Sequence, residues 1–194
     1  RMLAPQTERP NTKWTSLLDS QRVLSNLRKS KGKTAMEGKL ALLCTKILEE
    51  ITPTREDRKK IAALSKSLEE KVSASAKKRG IKATVRMEGS VAKDTWLKEE
   101  PDLDVFMRLP NTITRKELED VSLEIAREAT KGTRQVERFA EHPYLEAFVD
   151  GFRVNIVPCY SAKQGDWISA TDRTPFHTDY VLQQLNKPLR NEVR

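Results

Sequence analysis

Between Gly80 and Ile81 the apolar residues of this chain change their period, and that change limits the folds open to it. Before it they recur at helical spacing. Leu40, Leu43, Cys44, Ile47, Leu48 and Ile51 mark one apolar helical face, beginning at Met36, and Ile61, Leu64, Leu68 and Val72 mark another. After it Ile81, Ala83, Val85 and Met87 alternate with polar neighbours, as on a strand with one buried side. The punctuation agrees with the periods. Thr54 with Asp57 and Thr114 with Glu117 have the spacing of capping boxes, Pro53 is tolerated in a first turn, and Gly80 is a helix terminator.

The second half continues the alternation. In "DLDVFMRL" the side chains of Leu103, Val105, Met107 and Leu109 share one face, and Asp102, Asp104 and Phe106 share the other. A helix follows from Thr114, with Leu118, Val121, Ile125 and Ala129 inward, and then a strand over 134–142. The runs "YLEAFV" and "FRVNIVPCY" are joined by Asp150-Gly151, a two-residue hairpin signal because both positions accept positive φ. The tail from Ser161 holds a loop, the "DRTPFH" cluster and a last helix from about Thr178. Two helices, two strands, a helix and a strand group predict an α+β domain with a small mixed β-sheet flanked by helices.

Charge is unevenly spread over the 194 residues. The formal net charge is +8, of which +6 falls in residues 1–35 and only +2 in the rest. The sequence therefore divides into a basic leader, 1–35, and a domain over 36–194. Trp14, Leu17, Leu18, Gln21, Leu24 and Leu27 give the leader a short amphipathic helical pattern. Its charge suits either attraction to nucleic acid or a solvated, partly disordered arm, and its composition favours the arm. Cys44 and Cys159 have no metal-ligand spacing and suggest neither a disulfide framework nor a zinc site, so cytoplasmic residence is expected. No apolar run approaches a membrane span, and no membrane partner is expected.

The stretch "GSVAKDTWLKEEPDLDVF" concentrates the chemistry. Carboxylates at i and i+2 of one strand face are costly together unless a cation neutralises them. Asp102 and Asp104 are close enough to share a divalent ion, and all-oxygen ligation suits Mg²⁺, which bridges readily to phosphates. The Gly89-Ser90 turn ahead of a short helix can offer backbone N–H groups to those phosphates. Together these point to metal-assisted phosphoryl or nucleotidyl transfer. Spacing alone does not separate that reading from a solvated strand edge. Trp96 reads as core, Cys159 as a small buried apolar residue, and His142 as a structural hydrogen-bonder, whereas His177 lies in a polar segment suited to ligand contact.

The runs "GSVAKDTWL…DLDVF", "AEHPYLEAFVDGFRVNIVPCY" and "SATDRTPFHTDYV" resemble the amino-terminal catalytic part of archaeal CCA-adding enzymes, the class I tRNA nucleotidyltransferases, from about residue 36 onward. Their wider relatives are the polymerase-β-like nucleotidyltransferases, including poly(A) polymerases and oligoadenylate synthetases. The resemblance implies that family's small-sheet palm, with Asp102 and Asp104 holding Mg²⁺ and the Gly89-Ser90 turn at the triphosphate. It assigns Ser90, Lys93 and His177 to the incoming nucleotide, with Arg173 and Thr174 in the same cluster. The implied substrates are CTP and ATP, and the implied acceptor is the 3′ end of tRNA.

Two departures from the family pattern matter. The family carries a third catalytic and metal-binding carboxylate on the later strand, where this chain has Asn155. In a two-metal mechanism that acid holds the ion activating the attacking hydroxyl. An amide keeps the shape and one oxygen ligand but loses a full charge, so nucleotide and metal binding with little turnover is expected. The second departure is length. Family members continue beyond the equivalent of Arg194, so further carboxyl-terminal domains or a partner subunit are expected to complete the pocket.

Overall fold

The computed structural model describes residues 35–185, together with 189, 190 and 193. The leader 1–34 and its amphipathic pattern lie outside the described residues. The chain divides into two compact units, Arg1–Lys46 and Ile47–Arg194. The boundary falls within helix α1 (Ala35–Ile51). In the first unit Leu40, Leu42, Leu43 and Cys44 are exposed.

The second unit carries the sheet. Helix α2 (Arg55–Lys78) starts at the Thr54–Asp57 capping box, with both reciprocal bonds present. It ends in a Schellman motif: Ile81 N–H reaches Ala76 O and Gly80 N–H reaches Lys77 O, with Gly80 at φ +68°. That motif consumes Ile81, so strand β1 is Thr84–Glu88, three residues later than the alternation predicts. A single helical turn, α3 (Gly89–Lys93), then leads to strand β2 (Leu103–Leu109). Helix α4 (Arg115–Ala129) opens on the Thr114–Glu117 capping box.

Strands β3 (Arg134–Phe139), β4 (Pro143–Val149) and β5 (Phe152–Tyr160) follow. The β4–β5 hairpin turns on Asp150 (φ +52°) and Gly151 (φ +83°), as the sequence predicts. A 3₁₀ turn, Ala170–Arg173, runs directly into helix α5 (Thr174–Gln184). That helix starts four residues before the expected Thr178. Pro175, with its φ fixed near the helical value, is accommodated in the first turn, so the "DRTPFH" cluster is helical rather than loop.

The sheet order is β1-β2-β5-β4-β3, with β2 and β5 parallel and every other neighbour antiparallel. It is the expected small mixed sheet. Leu103, Val105, Met107 and Leu109 point to one face and are fully buried with Val154, Ile156 and Leu145. Ile61, Leu68 and Val72 of α2 and Leu118 and Ile125 of α4 complete that core. Burying such side chains is worth about 1.5–3 kcal/mol each, which fixes the register of β2 and hence which face Asp104 occupies.

Candidate active site

The register builds one transverse row on the opposite face. Glu88 lies across from Asp104, Asp104 across from Asn155, and Asn155 across from Glu146. Asn155 Nδ2 donates to Asp104 Oδ1 at 3.0 Å. Burial pushes the Asp104 carboxyl above its ordinary range. The Asn155 hydrogen bond opposes that shift, nearby Asp102 adds to it, and Lys93 and Arg153 pull it down. The charge of Asp102 is therefore felt at Asp104.

Asp102 itself precedes β2 and is half-exposed. Both of its oxygens are taken by Arg153, with Nε on Oδ1 at 2.7 Å and Nη2 on Oδ2 at 2.8 Å. The guanidinium fork matches a carboxylate in plane. Arg153 was not among the residues singled out from sequence, because a strand arginine gives no local sign of its partner across the sheet.

Gly89 sits against Asp104 at φ +67°, and any Cβ built there would collide with Asp104 Oδ2. The glycine is thus required by position as well as by conformation. Gly89, Asp104, Phe106, Tyr144, Asn155, Val157 and Thr174 line one cavity of about 260 Å³. Thr174 reaches it because Asp172 anchors the 3₁₀ turn. That carboxylate is buried and accepts from Tyr160 N–H, Ile168 N–H, Ser169 N–H and Ser169 Oγ at 2.7–2.9 Å. Arg86 secures the following helix, pairing with buried Glu88 at 2.8 Å, with Asp179 at 2.9 Å, and donating to Pro175 O at 3.1 Å.

The structure thus brings Gly89, Asp104, Asn155 and Thr174 together. Ser90 and Lys93 lie on the adjoining α3, half-buried. Arg173 and His177 are exposed and are not among the residues lining the cavity, although His177 lies one turn beyond Thr174 on the same side of α5. Tyr144 and Phe106 belong to the cavity and were missed as site residues. Tyr144 lies on β4, and the hairpin signal that joins β4 to β5 does not disclose that β5 also lies beside β2. The bland assignments hold: Trp96 is core, Cys159 is buried, and His142 bonds Glu119 at 3.2 Å.

Oxygen donors on one face, with a glycine leaving room beside Asp104 Oδ2, suit a hard divalent cation. Among the described residues no three His, Cys, Asp or Glu side chains converge, so such an ion would draw on two carboxylates and the Asn155 amide oxygen.

The mixed five-stranded sheet thus sets an acidic strand face beside a Gly-Ser turn, the arrangement of a nucleotidyltransferase domain. The nucleotidyltransferase domain family matches residues 61–177, and the chain belongs to that family. Members of the family generally use a divalent metal. The resemblance to archaeal CCA-adding enzymes is borne out. The chain is 44% identical over 142 residues to the CCA-adding enzyme of Methanosarcina barkeri, covering 72% of this chain and 31% of that protein. It is 36% identical over 153 residues to that of Methanocaldococcus jannaschii, covering 76% and 34%. The chain spans about a third of the length of the curated relatives it matches.

Among solved structures, the fold is similar to the GLD-2/RNP-8 complex, with TM-score 0.57, 13% identity, and 76% of this chain and 43% of that one covered. It is also similar to Cid1, an RNA terminal uridylyl transferase, with TM-score 0.55, 17% identity and 79% and 44% covered. At those identities the likeness concerns the fold alone. No helix among the described residues is long and apolar enough to cross a membrane.

Proposed function

We propose that this chain is the catalytic domain of a template-independent tRNA nucleotidyltransferase, transferring CMP and AMP from CTP and ATP to tRNA 3′ ends in the cytoplasm. The observation that carries the reading is the cavity joining Gly89, Asp104, Asn155 and Thr174, on the face where the Asp pair shares a field. It is supported by the likeness to archaeal CCA-adding enzymes over most of this chain.

In this reading Gly89 lets the backbone approach the triphosphate, and the Ser90 hydroxyl and Lys93 ammonium bind its oxygens. Thr174 bounds the nucleotide at the cavity wall, with Arg173 and His177 meeting it as the pocket is completed by carboxyl-terminal domains or a partner subunit. Asp104 and Asp102 would hold Mg²⁺, with the Asn155 oxygen as a weaker third ligand. Bound there, the ion would supply charge neutralisation on the phosphates; the tRNA 3′-hydroxyl is the group that displaces pyrophosphate from the α-phosphorus. Asn155 orients Asp104 but lacks the full negative charge with which a carboxylate would hold the ion that activates that hydroxyl, so turnover is slow.

A second reading, a non-catalytic nucleotide- or RNA-binding subunit, is favoured by Asn155 together with the engaged state of Asp102. Calorimetry with CTP and Mn²⁺, and labelled CMP incorporation into tRNA lacking its CCA end, separate the two. The catalytic reading expects CTP binding that is lost in Asp104→Asn and slow incorporation that rises in Asn155→Asp. Binding without incorporation by either form supports the second reading. CTP binding indifferent to Asp104→Asn overturns both.

A further inference from the structure

The Arg153 fork on Asp102 joins two features that the mechanism leaves unused: a fixed cation at an expected metal ligand, and an acidic cavity beside it. Glu99, Glu100, Asp102, Arg138, Glu146 and Arg153 line a cavity of about 400 Å³, next to the one containing Asp104. Within it Glu146 is buried and already held by Arg138 at 2.9 Å. Arg153 has Asp102 as its hydrogen-bonded partner, with Glu146 and Glu100 as its next electrostatic neighbours. It therefore touches one acid and feels the charge of two more.

We propose that Arg153 is a displaceable counter-ion for Asp102, which sets the divalent-metal affinity of the site. The inference rests on the reading of Asp102 and Asp104 as the metal ligands. A divalent ion bridging those carboxylates must share Asp102 with a guanidinium or evict it. Such an ion would also meet the field of the Arg153 charge. The fork is half-exposed, so opening it is cheap and screened by salt. The carboxylates of Glu99, Glu100 and Glu146 give the released guanidinium an alternative field in the same cavity. Arg153 thus keeps Asp102 neutralised and pointed at β5 when no ion is bound, and raises the metal concentration needed to load the site.

The test is Mn²⁺ titration of the purified protein, reading the free ion by electron paramagnetic resonance. Wild type, Arg153→Gln, Arg138→Gln and Asp102→Asn are compared at low salt, with thermal melts confirming that each is folded. The expected result is that Arg153→Gln binds Mn²⁺ about five- to tenfold more tightly than wild type. The gain should shrink at high salt, and Arg138→Gln, which removes equal charge from the same cavity without freeing Asp102, should give a clearly smaller gain. Unchanged or weaker binding in Arg153→Gln overturns the proposal, as does an equal gain in Arg138→Gln. The underlying reading fails separately: Mn²⁺ affinity indifferent to Asp102→Asn, or no binding in any form, removes Asp102 as a ligand.

Discussion

Asn155 and Asp104 are directly opposed on neighbouring parallel strands, and the amide of one donates to the carboxylate of the other at 3.0 Å. Asp104 is an acid held above its ordinary range chiefly by burial. For such a group, stability is full below the unfolded pKa, about 3.9, and declines as pH rises through the elevated folded value. Ionised Asp104 is therefore a cost at neutral pH in the absence of metal. Metal-free Asp104→Asn should melt above wild type at pH 7, with the difference narrowing toward pH 4. Thermal melts across that range check this, and a variant less stable than wild type at pH 7 contradicts it.

Gly89→Ala meets two obstacles, a left-handed backbone and the Asp104 carboxylate where its methyl would lie. The strained conformation alone costs about 1–3 kcal/mol. A chain of this size should lose several degrees in Tm, and displacement of Asp104 should abolish Mn²⁺-dependent CTP binding. Retention of wild-type CTP affinity would show that the close approach is not needed.

Asp172→Ala removes the acceptor of four hydrogen bonds in a buried position. Three backbone N–H groups lose their partner, and roughly 3–5 kcal/mol of stability should go with them. Because this turn delivers Thr174, affinity for CTP should fall in protein that remains folded. Urea denaturation and CTP titration measure the two effects separately.

Arg86→Ala leaves Glu88 buried without its counter-charge and releases α5 from β1. Breaking such a pair from one side typically costs about 3–5 kcal/mol. The half-exposed position of Arg86 puts the expectation at the lower end. Paired replacement, Arg86→Leu with Glu88→Leu, should recover much of that loss, and a double-mutant cycle by urea denaturation tests it.

Burial pushes the Cys159 thiol up to about 12, whereas Cys44 is exposed. A thiol reagent at pH 8 should therefore label one cysteine in the folded protein and two in denaturant. Rapid labelling of Cys159 in native protein would contradict the packing of β5.

The elements most legible in the sequence are those fixed by local chemistry. The two capping boxes, the Gly80 terminator and the Asp150-Gly151 hairpin each act within about five residues, and each is present. The face assignment of β2 follows from alternation and holds for Leu103 to Leu109, whereas Asp102, expected on the same strand, precedes it. The parallel pairing of β2 with β5 was not readable, so neither was the meeting of Arg153 with Asp102 nor the place of Tyr144 in the cavity. Ile81 was misplaced for a related reason: alternation cannot tell a strand's first residue from a side chain closing a helix cap. The carboxylate pair and the Gly-Ser turn stood out because two acids so close together beside such a turn are unusual, whereas Asp172 was one acid of the "DRTPFH" cluster and its bonds to Tyr160 and Ile168 carried no local mark.

The parallel pairing of β2 with β5 has a consequence for biosynthesis. Asp104 and Asn155 stand 51 positions apart, with α4, β3 and β4 between them. A nascent chain that has exposed only β1, α3 and β2 holds the Gly-Ser turn and the Asp pair but lacks the central strand that seats them. The pocket cannot exist until Tyr160 has left the ribosome, and Thr174 can close it only after that. The cavity joining Gly89, Asp104, Asn155 and Thr174 is thus assembled only after the strands and the 3₁₀ turn that line it have all emerged.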